Sequence, residues 1–286
     1  MLPITCISQL SYHTNIETYF LGDDKYIILY DDHRCLLNII FEAHKLGLFS
    51  KTPNLLYFDR HEDACGSPVN KGQLLERFNV KRILDITERN FWSFVEFDLS
   101  GIDDDWLLTG MEIGLINDAV LVGQKENCNI ANMNNVYEAS DGNKPQIYSI
   151  DHLNRSLGCR GCLGDNVIKD KHYENIRNIL EYNQPPTGRY DKFSEDLTRP
   201  IILDFDLDCF TTDCEDARFA WPEMVFRKIF YDNYNVRDFI CRMTERASFI
   251  TICREPGCCG GIGESNKILS YLDKYLFNGS IGTNPI

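Results

Sequence analysis

Six short runs rich in β-branched and aromatic residues recur along the 286-residue chain: "KYIILYD" at 25–31, "NLLYFD" at 54–59, "AVLVG" at 119–123, "QIYSI" at 146–150, "PIILDFDLD" at 200–208 and "SFITIC" at 248–253. Their apolar character is continuous, as in strands buried on both faces. Helical periodicity falls between them, at 33–49, 88–97, 171–182 and 221–232, and again at 263–277. Strands alternating with helices imply right-handed crossovers and a mostly parallel sheet covered on both faces. The expected class is therefore α/β. Two polar stretches, 124–146 and 183–200, read as long loops, which in compact domains are usually functional or disordered. Neither is apolar enough to fold alone, so residues 1–286 are expected to form a single domain.

Three of the runs end in acids or imidazoles. "YIILYDDH" delivers Asp31, Asp32 and His33, "NLLYFDRHED" delivers Asp59, His61 and Asp63, and "IILDFDLD" delivers Asp204, Asp206 and Asp208. Open parallel sheets bind ligands at the carboxyl ends of their strands. Were the extended conformation to continue past each strand, alternation would put Asp59, His61 and Asp63 on one side, and likewise Asp204, Asp206 and Asp208. That many carboxylates in one cleft repel one another unless cations neutralise them. Carboxylates with one or two imidazoles suit manganese or magnesium better than thiolate-preferring metals. More acids than one ion needs suggest two ions bridged by shared aspartates, typically about 3.5–4 Å apart, a pairing that acidifies water. Each cluster alone has a plainer reading. D-x-H-x-D is also a surface turn, "DFDLD" also fits a haloacid-dehalogenase-like phosphatase or a nucleotide-sugar metal site, and His33 also suits a helix N-terminus.

Composition narrows the partners. A net charge of −14 disfavours a nucleic-acid or anionic-membrane surface and suits a neutral or cationic partner, although acidity also simply aids solubility. No run approaches the roughly 18 apolar residues that span a bilayer. The opening "MLPITCISQLSYHTN" has no basic segment followed by an apolar one. A cytoplasmic setting with reduced thiols is the expectation for the twelve cysteines. Cys159 and Cys162 with Cys258 and Cys259 would make a poor zinc site, since adjacent cysteines are a weak second half, and ordinary thiols are the preferred reading.

With D-x-H-x-D and the later "FDLD" in hand, the chain resembles the ureohydrolase superfamily of arginases, agmatinases and, more distantly, histone deacetylases. "YDDH", "FDRHED" and "DFDLD" stand in the order of that family's "GDH"-like, "DAHxD" and "SFDxD" segments. The resemblance spans about residues 25 to 260 and implies an arginase-like three-layer α/β/α fold with two manganese ions. It implies that His33, Asp59, Asp63 and Asp206 hold one ion, and that Asp59 and Asp206 bridge to a second completed by His61 and Asp208. Asp204 is left behind the ligands to orient one of them. D-x-H-x-D rather than D-x-D-x-H favours guanidine over deacetylase chemistry. Glu255 in "ITICREPGCCGG" stands about where a carboxylate of the family grips the substrate guanidinium.

Departures narrow the resemblance further. The "DxxDP" extension is replaced by "DLDCFTTD", and no histidine stands near residue 76, which leaves Asp63 and His152 as candidate proton carriers. The segments that hold free arginine by its α-groups are not recognisable. "DFDLDCF", "WLLTGMEIGLINDAVLVG" and "ITICREPG" look like a divergent branch of peptide arginases. That branch converts arginine residues of ribosomally made peptides into ornithine, with release of urea. The partner implied is an arginine-containing peptide; a homo-oligomer is left open. Rival readings are a small-molecule guanidino hydrolase or deacetylase on the same fold, and a metal- or peptide-binding module without turnover.

Overall fold

The computed structural model describes residues 16–22, 25–101, 104–123, 129–151, 199–214, 217–232 and 234–282. His152, Cys159, Cys162 and the helix expected at 171–182 lie outside these residues.

A seven-stranded sheet runs in the order β1-β2-β9-β6-β3-β4-β5. Its members are β1 (Glu17–Gly22), β2 (Lys25–Tyr30), β3 (Asn54–Asp59), β4 (Ala119–Gly123), β5 (Ile147–Asp151), β6 (Ile201–Asp206) and β9 (Ala247–Cys253). Only β1 is antiparallel to its neighbour; the remaining pairs are parallel. All six expected strands are present, and every residue of β3, β4 and β6 is buried, which is why their sequences show no alternation. A separate hairpin, β7 (Thr211–Cys214) and β8 (Ala217–Ala220), follows β6.

Alternate residues of each strand face two distinct cores. Leu55, Tyr57, Leu121 and Ile202 pack under α1 (Cys35–Lys45), α3 (Glu88–Asp98) and α4 (Trp106–Glu112), which contribute Leu36, Phe41, Phe91 and Trp106. Leu56, Phe58, Val122, Leu203 and Phe205 pack on the opposite side with Phe226, Met243, Ile268 and Leu272. Those four come from α6 (Glu223–Phe230), α7 (Tyr234–Arg246) and α8 (Ile262–Tyr275). The result is three layers, helices on both faces of a mostly parallel sheet. Two short helices, α2 (Lys71–Arg77) and α5 (Asn129–Asn132), complete the described helices besides 3₁₀ turns. Asn70 and Gln73 close a reciprocal capping box on α2, satisfying amides the helix itself leaves free.

This winding fixes where a ligand can sit. From β3 the chain moves outward to β4 and β5; from β6 it moves the other way to β9, with its helices on the other face. The two directions part between β3 and β6, opening a crevice at their carboxyl ends. Register sets those ends level. Tyr30 pairs with Cys253, Cys253 with Asp206, and Asp59 with Gly123, while Phe58 stands against Phe205.

Gly123 is there because nothing larger fits. A β-carbon at this position would lie 1.7 Å from the Asp59 carbonyl oxygen, inside any tolerable contact. Gly123→Ala must push β3 and β4 apart at the residue that opens the crevice. A loss of about 3 kcal/mol in unfolding free energy, at the upper end of overpacking costs, is expected, read as a lower denaturant midpoint. An unchanged midpoint would contradict this reading of the strand pair.

Candidate metal centre

Beyond the row of strand ends the chain turns rather than continuing extended. This corrects the expectation of strand alternation. β3 stops at Asp59, whose Oδ1 accepts the His61 amide at 2.7 Å and so bends the backbone. β6 stops at Asp206, whose side chain accepts the Asp208 amide at 2.9 Å and starts a 3₁₀ turn over Leu207–Phe210. That turn brings Asp208 round to the Arg60 amide, 3.2 Å from Oδ1. Local side chain to backbone bonding of this kind is what aspartate does at strand ends. Asp63 and Glu255 hold φ of 49° and 30°, a region that non-glycine residues rarely occupy. Strain of that kind, about 1–3 kcal/mol each, gathers at functional sites.

His33 stands in the turn between β2 and α1, buried. Its Nε2 lies 3.0 Å from Asp204 Oδ2. Asp204 is itself fixed, with Oδ1 accepting from Tyr30 Oη at 3.0 Å and Thr251 Oγ1 at 2.6 Å. An Nε2–H donated to Asp204 turns Nδ1 towards the crevice. Around that nitrogen stand three carboxylate oxygens, Asp63 Oδ2 at 2.9 Å, Asp206 Oδ2 at 3.2 Å and Asp59 Oδ2 at 3.3 Å. On the other side His61, partly open to solvent, places Nδ1 at 3.1 Å from Asp208 Oδ2 and 3.9 Å from Asp59 Oδ1. Asp59 thus faces both imidazoles.

The structure brings together His33, Asp59, His61, Asp63, Asp206 and Asp208, with Asp204 behind His33. Asp31 and Asp32 do not join them: they pair with Arg254 and Arg34. Glu255 joins from the turn after β9, its carboxylate within 4.8 Å of ligand atoms on His33 and Asp206, and likewise of Asp208 and Cys258. That turn is pressed against the hairpin, since a β-carbon on Gly260 would meet the Arg218 carbonyl oxygen at 2.0 Å.

Electrostatically this is a place that wants cations. Asp59 is held well above the usual carboxylate range by burial and then by the charges of Asp63 and Asp206. Burial and the Asp208 charge push Asp206 up to about 7, and burial with the Asp206 charge pushes Glu255 up to about 9. Burial alone would lower His33, but its contacts with Asp204, Asp206 and Asp63 prevail and hold it well above the ordinary histidine value. Asp59 Oδ2 and Asp208 Oδ2 are buried with no hydrogen bond aligned on them. The donor set fits a hard divalent ion. Ligands at about 2.1 Å and right angles around one octahedral ion lie about 3.0 Å apart, close to the spacing of the three oxygens from His33 Nδ1.

A pH dependence follows. Without metal, Asp206 keeps in the fold a proton that the unfolded chain releases near pH 3.8. The stability this proton confers is fully present below the unfolded value and is lost as pH rises through about 7. Ions displace such protons, so the gain in melting temperature on adding manganese should be larger at pH 8 than at pH 6. Calorimetry of metal-free and manganese-loaded protein at both values checks this. An equal gain would contradict it.

Sequence reading missed the groups that hold these residues. Trp106 donates Nε1–H to Asp63 Oδ2, Tyr30 and Thr251 hold Asp204, and the buried Arg60 donates to Thr211 Oγ1 at 3.1 Å. No short-range pattern links Asp63 to a tryptophan 43 residues away.

Comparison with known proteins gives no match to a family model and none to a curated protein. Among solved structures, proclavaminate amidino hydrolase from Streptomyces clavuligerus is 12% identical with a TM-score of 0.45, over 96% of this chain and 67% of that one. Helicobacter pylori arginase is 13% identical with a TM-score of 0.40, over 89% of this chain and 71% of that one. Likeness this remote says nothing about substrate. Among the described residues no helix is long and apolar enough to cross a membrane.

Proposed function

We propose that this chain is a manganese-dependent ureohydrolase that hydrolyses arginine side chains of a ribosomally made peptide to ornithine and urea. The observation that carries the reading is the ring of three carboxylate oxygens around His33 Nδ1, with His61 and Asp208 beside it. His33, Asp59, Asp63 and Asp206 would hold one ion; Asp59, Asp206, His61 and Asp208 would hold the other. When bound, such a pair supplies Lewis acidity and makes water nucleophilic at neutral pH. The motif order "YDDH", "FDRHED", "DFDLD" is the ureohydrolase one.

The chain's own residues supply the rest. Glu255, buried at the crevice, offers two oxygens to a planar guanidinium. Nearby cations would restore the charge that its surroundings suppress. Hydrolysis adds water across the bond between the guanidinium carbon and the side-chain nitrogen, giving urea and the ornithine amine. The leaving nitrogen needs a proton, and Asp63, aligned on the crevice, is the carrier we assign, with His152 as a second candidate.

A peptide rather than free arginine is favoured because the segments that would clamp free α-groups are not recognisable. Net charge −14 also suits a cationic side chain. Manganese-loaded protein should therefore act on an internal arginine of a peptide in preference to free arginine, agmatine or acetyl-lysine. Equal turnover of free arginine would overturn the peptide assignment, and turnover of acetyl-lysine alone would move the chemistry to deacylation.

A further inference from the structure

We propose that Trp106 is a positioning residue of the metal centre, its indole fixing the Asp63 carboxylate on the His33 side. The inference rests on the binuclear reading above. Trp106 begins α4 and is fully buried. Its Nε1–H donates to Asp63 Oδ2 at 2.5 Å, the same oxygen that stands 2.9 Å from His33 Nδ1. Its ring lies 4.6 Å from the His33 ring, tilted by 46°, and stands edge-on to Tyr57.

The chemistry of the indole makes this more than packing. Indole is a donor only, so it cannot compete with the carboxylate for a cation, as a histidine or hydroxyl in its place would. Each carboxylate oxygen has two lone-pair directions; the N–H occupies one on Oδ2 and leaves the other free to face the crevice. Asp63 needs such a restraint. It lies four residues past the end of β3, at positive φ, with no sheet pairing to hold its backbone. The indole ring also packs against His33, whose Nε2 lies 3.0 Å from Asp204 Oδ2. One side chain thus contacts two candidate ligands from two different segments, and it reaches them from the helical layer over one face of the sheet.

The test is manganese titration, with free ion followed by its paramagnetic resonance. Trp106→Phe keeps an aromatic ring and removes the N–H. Affinity on the His33 side should fall about 10- to 100-fold, as when groups behind metal ligands are removed, while the His61–Asp208 side keeps its ion. A benzothienylalanine at position 106, isosteric with tryptophan but with sulfur in place of N–H, should show the same loss without a cavity. In an Asp63→Asn background, Trp106→Phe should add nothing further. Wild-type affinity in the isostere would overturn the proposal, as would an undiminished loss in the Asp63→Asn background. If the wild-type chain takes up no divalent ion, the binuclear reading fails and this inference fails with it.

Discussion

Asp206→Asn is expected to remove manganese from both positions and, at pH 8, to leave a metal-free protein that melts higher than the metal-free wild type. Both halves come from the same carboxylate. Asp206 Oδ2 is one of the three oxygens around His33 Nδ1, and Asp206 is the residue we assign to bridge the ions. Loss of a residue behind a ligand typically costs 10–100-fold in affinity or activity, and loss of a bridging ligand should exceed about a hundred-fold. The stability gain has the opposite sign because an acid pushed up to about 7 by burial and by Asp208 is costly to ionise in the fold. At pH 8 asparagine removes that cost. Below about pH 3.8, where the acid keeps its proton in the folded and the unfolded chain alike, the two proteins should melt alike, and the gap should open between there and about pH 7. Asparagine also keeps an oxygen to accept the Asp208 amide, so the 3₁₀ turn survives. Metal analysis and calorimetry on one preparation read both effects. Full manganese content in the variant would contradict the assignment of Asp206 as a shared ligand.

Glu255→Gln should do the reverse, leaving both ions bound while lowering kcat/KM for the arginine substrate about 10²–10³-fold. Removing one well-placed electrostatic partner of a reacting group commonly costs that much. Glutamine has the shape of glutamate and one of its acceptor oxygens, but it lacks the charge and the second acceptor that pair with a guanidinium. Steady-state kinetics together with manganese stoichiometry separates two roles that geometry alone permits, since the Glu255 carboxylate also lies within ligand reach of His33 and Asp206. Loss of an ion in this variant would make Glu255 a metal ligand instead of the guanidinium acid.

Much of the architecture was legible in the sequence for a simple reason. Strands buried on both faces leave unbroken runs such as "NLLYFD" and "AVLVG", and these six runs are six of the seven strands of the sheet. β1 went unread because "ETYFLG" is an edge strand with only two buried residues, and its apolar run, Tyr19 to Leu21, is short. α4 was hidden in the apolar stretch "WLLTGME", all of it buried and therefore without amphipathic periodicity. α2 did leave a signal, the Asn70 and Gln73 capping pair, that went unread. In α7, Phe239, Ile240 and Met243 are spaced as one buried face and were equally available.

Of the candidate site, acids and imidazoles were legible because aspartate is out of place in a strand. Their route together was not. Extended alternation was the wrong mechanism: Asp59 and Asp206 each fold the backbone over by accepting the amide two residues on. The groups that hold the site, Trp106 and Thr251 among them, come from other elements and become neighbours only in the folded chain.

The most direct measurement is urea release from a peptide with an internal arginine, by protein stripped of metal and then reconstituted with manganese. The expected result is no urea from the stripped protein, and urea with an equal amount of ornithine residue once manganese is restored. Fully metallated protein that releases no urea from the peptide or from free arginine would contradict the ureohydrolase reading.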